Sequence, residues 1–251
     1  MTADERGVSE VLSYILVFSV VAVTIAFVLG DGLGAVTTTQ QNARIDAAES
    51  GVAILDKSVE TVYQTGVPRR ATELKPNGGT LSVGGRLDVD IVVSQGGTDL
   101  FDYGSASSRF THTIDDQSVG LALGARFRSG PGGVGMTADP PFHFGDERTT
   151  LPVVLLTGAD SVSTGSPVQI VAATQNEELL DHRTAGPSAG TPYTVEVAIE
   201  TTPERAAAWN RYFQREGLTA VDDDPTDGTV VYSHETRRLI IEEFTTALDL
   251  R

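Results

Sequence analysis

The sequence predicts an N-terminal transmembrane helix continued by an amphipathic helix, then a mainly-β, antiparallel sandwich-like domain with one short helix. Three observations predict it. Val11–Gly30, reading VLSYILVFSVVAVTIAFVLG, is an uncharged run of about 20 residues, the length that an α-helix needs to cross a bilayer core. From Thr37 to Thr65 apolar residues recur every three or four positions. From Ala71 onward the apolar period drops to two. The expected organisation is a leader or cytoplasmic tail over 1–7, a transmembrane helix over 8–33, an amphipathic helix over 34–68 and a β-rich extracellular domain over 69–251.

The apolar run comes first. About 13 of its residues are Val, Leu, Ile or Phe, which favours membrane insertion by roughly 4–8 kcal/mol before its polar residues are subtracted. A secretory signal would have a shorter apolar core, although the small residues of Gly30–Ala35 leave a cleaved signal as an alternative. Ala22, Ala26, Gly30 and Gly34 recur every four residues and form a small-residue ridge on which helices can approach closely. Gly30-Asp31-Gly32-Leu33-Gly34 costs a helix on the order of 1 kcal/mol per glycine, so a kink or melted turn is expected there.

In the next segment Ile45, Ala48, Val52, Leu55, Val59 and Val62 form one apolar seam, with Arg44, Asp46, Glu49, Asp56, Lys57 and Glu60 off it. Gly66 and Pro68 stop the helix. The seam is expected to pack on the domain's own sheet, with bundling between subunits as the alternative. Pro76-Asn-Gly-Gly79 marks a hairpin turn between Thr72–Lys75 and Thr80–Val83. Leu87, Val89, Ile91 and Val93 alternate with Asp88 and Asp90, and Val119 to Phe127 alternates as one strand. Leu151–Leu156, Val168–Thr174, Tyr193–Ile199, Val230–Tyr232 and Leu239–Ile241 complete the strands. One helix interrupts them. Thr201-Thr-Pro-Glu204 has a capping-box arrangement, Ala206–Glu216 follows, and Trp209, Tyr212 and Phe213 share one face that seals the sheet.

Net charge is −16, with 34 acidic residues against 18 basic, and Lys57 and Lys75 are the only lysines. This balance argues against nucleic acid or anionic lipid headgroups, which call for a basic face. No cysteine is present, which removes disulfide and thiol chemistry.

The residues before the apolar run carry a resemblance. Glu5-Arg6-Gly7, then Val8-Ser9-Glu10, resembles the processing site of archaeal type IV prepilins and archaellins. The resemblance implies cleavage between Gly7 and Val8 on the cytoplasmic side, with Arg6, Gly7, Val8 and Glu10 forming the processing site. Glu10 would be the third mature residue, whereas bacterial type IV pilins have an acidic residue fifth. Further stretches (GVSEVLSYILVFSVV, GVPRRATELK, LALGARFRSGPGGVGM, PPFHF, TTLPVVLLTG and AAAWNRYFQREG) are similar to an uncharacterised haloarchaeal family of membrane-anchored, pilin-like proteins. That family brings location and architecture, and no biochemical activity. An acidic, Lys-poor chain is similar to haloarchaeal proteins in composition also.

Signals for chemistry are weak. Gly186-Pro-Ser188-Ala-Gly190 matches G-x-S-x-G, but a polar loop precedes it and Pro187 sits inside it, unlike a nucleophile elbow. His112, His143, His182 and His234 are far apart and fit no zinc pattern. Asp222, Asp223, Asp224 and Asp227 form the best candidate for Ca²⁺, but the spacing is not that of an EF-hand and a solvated acidic turn is the simpler reading. Gly130–Gly135 lacks the Lys-Ser/Thr of a phosphate loop and reads as a hairpin tip. There is no glycosylation sequon.

The sequence therefore points away from an enzyme and from any cofactor. It points to a pilin-like subunit or minor component of a type IV pilus-like surface structure, with an outward β domain open to adhesion. Its expected partners are membrane lipid around the N-terminal helix, copies of itself and other pilin-like subunits. The alternative is an uncleaved, single-pass membrane-anchored extracellular binding domain that forms no filament.

Overall fold

The computed structural model describes residues 4–184 and 190–251, with side chains at 12–27, 39–184 and 190–251. The chain divides into two units, Met1–Asp46 and Ala47–Arg251. A single helix, α1 (Asp4–Thr65), supplies the described part of the first unit and opens the second. The apolar run of residues 11–30 and the amphipathic segment that follows it thus lie on one continuous helix.

The transmembrane assignment itself is corrected. Among the described residues, no helix is long and apolar enough to cross a membrane. The backbone at Gly30–Gly34 stays helical, so the chain does not melt into a turn there.

In the second unit the seam residues Ala48, Val52, Leu55, Val59 and Val62 are all buried. The helix is tied to the domain by polar contacts. Ser58 and Thr72 share a buried hydroxyl–hydroxyl hydrogen bond of 2.7 Å. Asp56 and Glu49 sit 3.2 and 3.3 Å from Arg126 and Arg128. Gly66, at φ 68°, ends the helix in the left-handed region where glycine is favoured.

The strands form two sheets. The smaller joins β1 (Arg69–Leu74), β9 (Val168–Thr184), β13 (Arg238–Leu250) and β7 (Thr149–Thr157) in that order. The larger runs β11 (Thr219–Asp222), β12 (Thr229–Thr236), β10 (Tyr193–Glu200), β2 (Thr80–Gln95), β3 (Thr98–Ile114), β4 (Gln117–Ala122), β5 (Ala125–Gly130) and β6 (Gly133–Ala138). The short β8 (Asp160–Val162) pairs with β2 off this path.

The expected antiparallel sandwich is corrected on two points. The smaller sheet is mixed, because β7 runs parallel to β13. The larger sheet is antiparallel and curled. Its long strands bend where the β2–β3 register shifts between Gly84 and Leu87, with Gly84 and Gly85 at positive φ. A bulge of this kind sharpens local twist.

Two local expectations also change. The Pro76–Gly79 turn forms, closed by Gly79 N–H donating to Pro76 O at 2.8 Å. The strands it joins do not pair, since β1 pairs with β9 and β2 with β3 and β10. The turn therefore passes the chain between sheets. The single strand expected from Val119 to Phe127 is two, β4 and β5, folded back at Leu123-Gly124 with φ 48° and 73°. Leu123 remains fully buried at the turn, so its side chain prolongs the apolar alternation through a reversal.

The main core lies between the sheets and is closed by α2 (Pro203–Arg215). Trp209, Tyr212 and Phe213 are buried on one face of α2. The Trp209 ring lies 5.9 Å from Phe127 and 5.8 Å from Phe213, and Phe213 lies 5.2 Å from Tyr232. The capping box is shifted: Thr202 is the N-cap and makes no side-chain capping bond. With Pro203 at the first helical position, Thr201 falls one residue outside the helix.

Candidate functional site

The most conspicuous surface of the first unit is its bare apolar helix. Eleven large apolar side chains between Leu12 and Phe27 are 50–74% exposed. They occupy every face of the helix, since residues 14–18 alone cover more than one turn. The two hydroxyls with described bonds in this stretch are satisfied locally. Ser19 donates to Ile15 O and Thr24 to Val20 O, each at 2.7 Å. These hydroxyls can be covered without leaving a donor unpaired. Ala22 and Ala26, one turn apart, are exposed on the same face and leave room for close approach. The rest of that ridge, Gly30 and Gly34, lies outside the described side chains. So do the processing residues Arg6, Gly7, Val8 and Glu10.

Among the described residues the weaker chemical candidates are not brought together into one cluster. Ser188 lies outside the described residues. Among those described, no group of three or more His, Asp or Glu is arranged to hold a metal ion. His112 is buried on β3, and its Nε2 lies 2.9 Å from Pro76 O; burial lowers its pKa. His143 bridges to Thr150, and His182 sits on β9 opposite Ile240. His234 packs edge-on against Phe144 at 5.8 Å.

The carboxylates of the Asp222 turn cap their own backbone. Asp222 accepts from Asp224 N–H at 3.2 Å, Asp224 from Thr226 N–H at 3.0 Å and Asp227 from Thr229 N–H at 2.8 Å. The bond from Thr226 holds the Asp224 carboxyl below its ordinary value. Asp223 contributes its carbonyl, which accepts from Asn210 at 2.8 Å. The turn is thus built to start and stop a short 3-10 turn, Pro225–Asp227, and reads as a structural device. Gly130–Gly133 is the tip of the β5–β6 hairpin.

Three polar arrangements escape a reading of the sequence. Asp56 faces Arg126, yet Arg126 Nε has no aligned hydrogen bond although the two atoms are 3.2 Å apart. Tyr103 donates to Glu243 at 2.7 Å, joining β3 to β13, and Asn176 and Thr245 donate to the same carboxylate. Arg109 and Arg205 are half-buried at the rim of the core, and neither forms a salt bridge among the described residues, the charge of Glu204 reaching Arg205 only through space. Only the last had a sequence signal: Arg205 stands in the first turn of α2, the end of a helix that disfavours cations.

The class defined by these features is a curled β domain with an aromatic-sealed core, together with a long helix whose N-terminal stretch is bare and apolar. The chain belongs to the DUF7289 family, a family of unknown function, whose family model matches residues 6–249. Comparison with curated proteins and with solved structures finds no match.

Proposed function

We propose that this protein is a pilin-like structural subunit that assembles with copies of itself through the apolar stretch of α1. The observation that carries the reading is the uncovered apolar surface from Leu12 to Phe27. Burying a large apolar side chain is worth about 1.5–3 kcal/mol. A single neighbouring helix covers about half of such a cylinder, a gain on the order of 10 kcal/mol. Association itself costs roughly 4–15 kcal/mol. A pair therefore sits near break-even, whereas several neighbours cover the whole surface. That comparison favours a many-helix assembly over a dimer. The Glu5–Glu10 resemblance to prepilin processing sites supports the same reading, with Val8 as the mature first residue. In this assembly the β domain projects outward, available for adhesion, and its role is structural.

The test is a shear and sedimentation assay on cells bearing the full chain and a Val17→Asp variant, with the mature N-terminus read by mass spectrometry. The expected result is release of wild type beginning at Val8 in a sedimenting surface fraction, and loss of that fraction in the variant. Circular dichroism must show the variant's β domain intact. Equal sedimentation of both chains, or wild type found only as dispersed monomer, would overturn the proposal.

A further inference from the structure

The arginine pair at the rim of the core points to a ligand. In this acidic chain Arg86, Arg126, Arg128, Arg183 and Arg215 each sit beside a carboxylate. Among the described residues neither Arg109 nor Arg205 forms such an ion pair, and only Glu204, one residue away, acts on Arg205 from a distance, although both arginines are less exposed than Arg86.

Strand register places the two on one face. Thr111 of β3 pairs with Gly120 of β4, and Gly120 pairs with Phe127 of β5, so these three point to the same side. Arg109 is two residues from Thr111 and shares that side. Arg205, on α2, lies over the Phe127 ring with its guanidinium carbon 5.5 Å from the centroid. Both cations thus lie over the same side of β3–β4–β5, on the α2 side of the sheet.

Two polar atoms of these segments, one on β3 and one just ahead of α2, are unsatisfied. Arg109 Nη1 and Thr201 Oγ1 are buried with no hydrogen-bond partner. Thr201 sits just ahead of the α2 N-cap, where Thr202 O accepts from the Arg205 and Ala206 N–H groups but the Thr202 side chain makes no capping bond. Gly85 matters here: a Cβ at that position would run into the Arg109 guanidinium, so glycine keeps open the space that the fork occupies. The charges also act on each other. Desolvation first, then the charge of Arg109, pushes Arg205 down to about 10, with Glu204 opposing. Two desolvated like charges beside the positive end of a helix are costly unless an anion joins them.

We propose that Arg109 and Arg205, with the Thr201 hydroxyl, form a binding site for a small oxyanion group, a phosphate, sulfate or carboxylate. A guanidinium fork matches such a group with two parallel hydrogen bonds, and two forks meeting one anion remove the repulsion between them. The site lies in the β domain and does not depend on how α1 assembles.

The test is equilibrium dialysis of the full-length protein, dispersed in non-ionic detergent at fixed chloride, against labelled sulfate, phosphate and acetate in separate cells. Arg109→Gln, Arg205→Gln and Arg205→Lys are compared with wild type. The exposed, Asp88-paired Arg86→Gln is the control, and circular dichroism with Trp209 fluorescence monitors folding. The expected result is saturable binding of one anion per chain, weakened about tenfold or more by each glutamine variant, as loss of a charge-assisted hydrogen-bond partner implies. Arg205→Lys keeps the charge but loses the fork, and it weakens binding while preserving the fold even where Arg205→Gln does not fold. Preference for sulfate and phosphate marks a tetrahedral ligand; preference for acetate marks a carboxylate. Absence of saturable binding for all three anions, or equal weakening by Arg86→Gln, overturns the proposal.

Discussion

Asp56→Asn tests the contact between α1 and β5 within the β-rich unit. The Asp56 side chain is 26% exposed, and its Oδ2 lies 3.2 Å from Arg126 Nε without hydrogen-bond alignment. Desolvation raises its pKa and outweighs the opposing charge of Arg126, leaving it at about 6 against 3.8 for a free carboxyl. The sign follows from proton binding. Between pH 3.8 and about 6 the folded state holds this proton more tightly than the unfolded chain, so stability falls as pH rises through that window. Below it both states are protonated and there is no cost; above it the cost is complete. At about 1.4 kcal/mol per pH unit the difference approaches 3 kcal/mol, and partial solvent access brings it to about 2 kcal/mol. Asparagine carries no titrating proton and does not pay this cost. Urea unfolding of wild type and variant at a series of pH values, at fixed salt, reads the difference between them. Wild type is expected to lose about 2 kcal/mol relative to the variant from pH 4 to 7.5. Taking the difference removes the titration of the other carboxylates. A difference that stays flat, or a wild type that gains on the variant as pH rises, would refute the reasoning; the second result would mean that Arg126 wins over burial.

Two further perturbations probe the core and the join between sheets. Trp209→Ala removes the ring that stacks on Phe213 and packs against Phe127 and Phe142, and is expected to cost about 3–5 kcal/mol in chemical denaturation; a loss below about 1 kcal/mol would mean that α2 does not seal the core. Tyr103→Phe removes one of three hydrogen bonds that hold the Glu243 carboxyl low although burial raises it. A depressed carboxyl contributes stability above the unfolded pKa that is lost as pH falls, so this variant is expected to lose about 1 kcal/mol at neutral pH and to show a higher Glu243 pKa by NMR. An unshifted Glu243 would place its control with Asn176 and Thr245 alone.

What the sequence disclosed follows from what periodicity can carry. The seam Ala48–Val62 and the aromatic face of α2 were visible because each buries a single face against one surface, and one-sided burial writes a period. The parallel pairing of β7 with β13 was not visible, because alternation records which side of a strand is buried and not its direction. The outer half of β3 was also hidden. Asp99, Asp102 and Gly104 there are exposed, so no apolar period marks it. Leu123 misled in the opposite way, since a buried residue at a turn mimics an uninterrupted strand. The rim pair Arg109 and Arg205 is 96 residues apart in the chain, and only strand register and α2 bring the two to one face.

The apolar stretch and the acidic surface make opposing demands on assembly, and salt decides between them. Each copy carries a net charge of −16, so bringing many copies together accumulates repulsion as well as apolar burial. At about 0.15 M salt the screening length is about 8 Å, and neighbouring β domains feel each other's carboxylates; at about 1 M it falls to about 3 Å and that repulsion is largely removed. Covering Leu12–Phe27 does not weaken with added salt, and salts excluded from protein surfaces strengthen it. Assembly is therefore expected to be salt-requiring, with sedimenting material dispersing on dialysis to low salt and returning when salt is restored. Neutralising several surface carboxylates to amides should shift that threshold downward. Assembly that is instead strongest at low salt would mean that ion pairs between subunits hold it together, and that the bare helix is not what drives it.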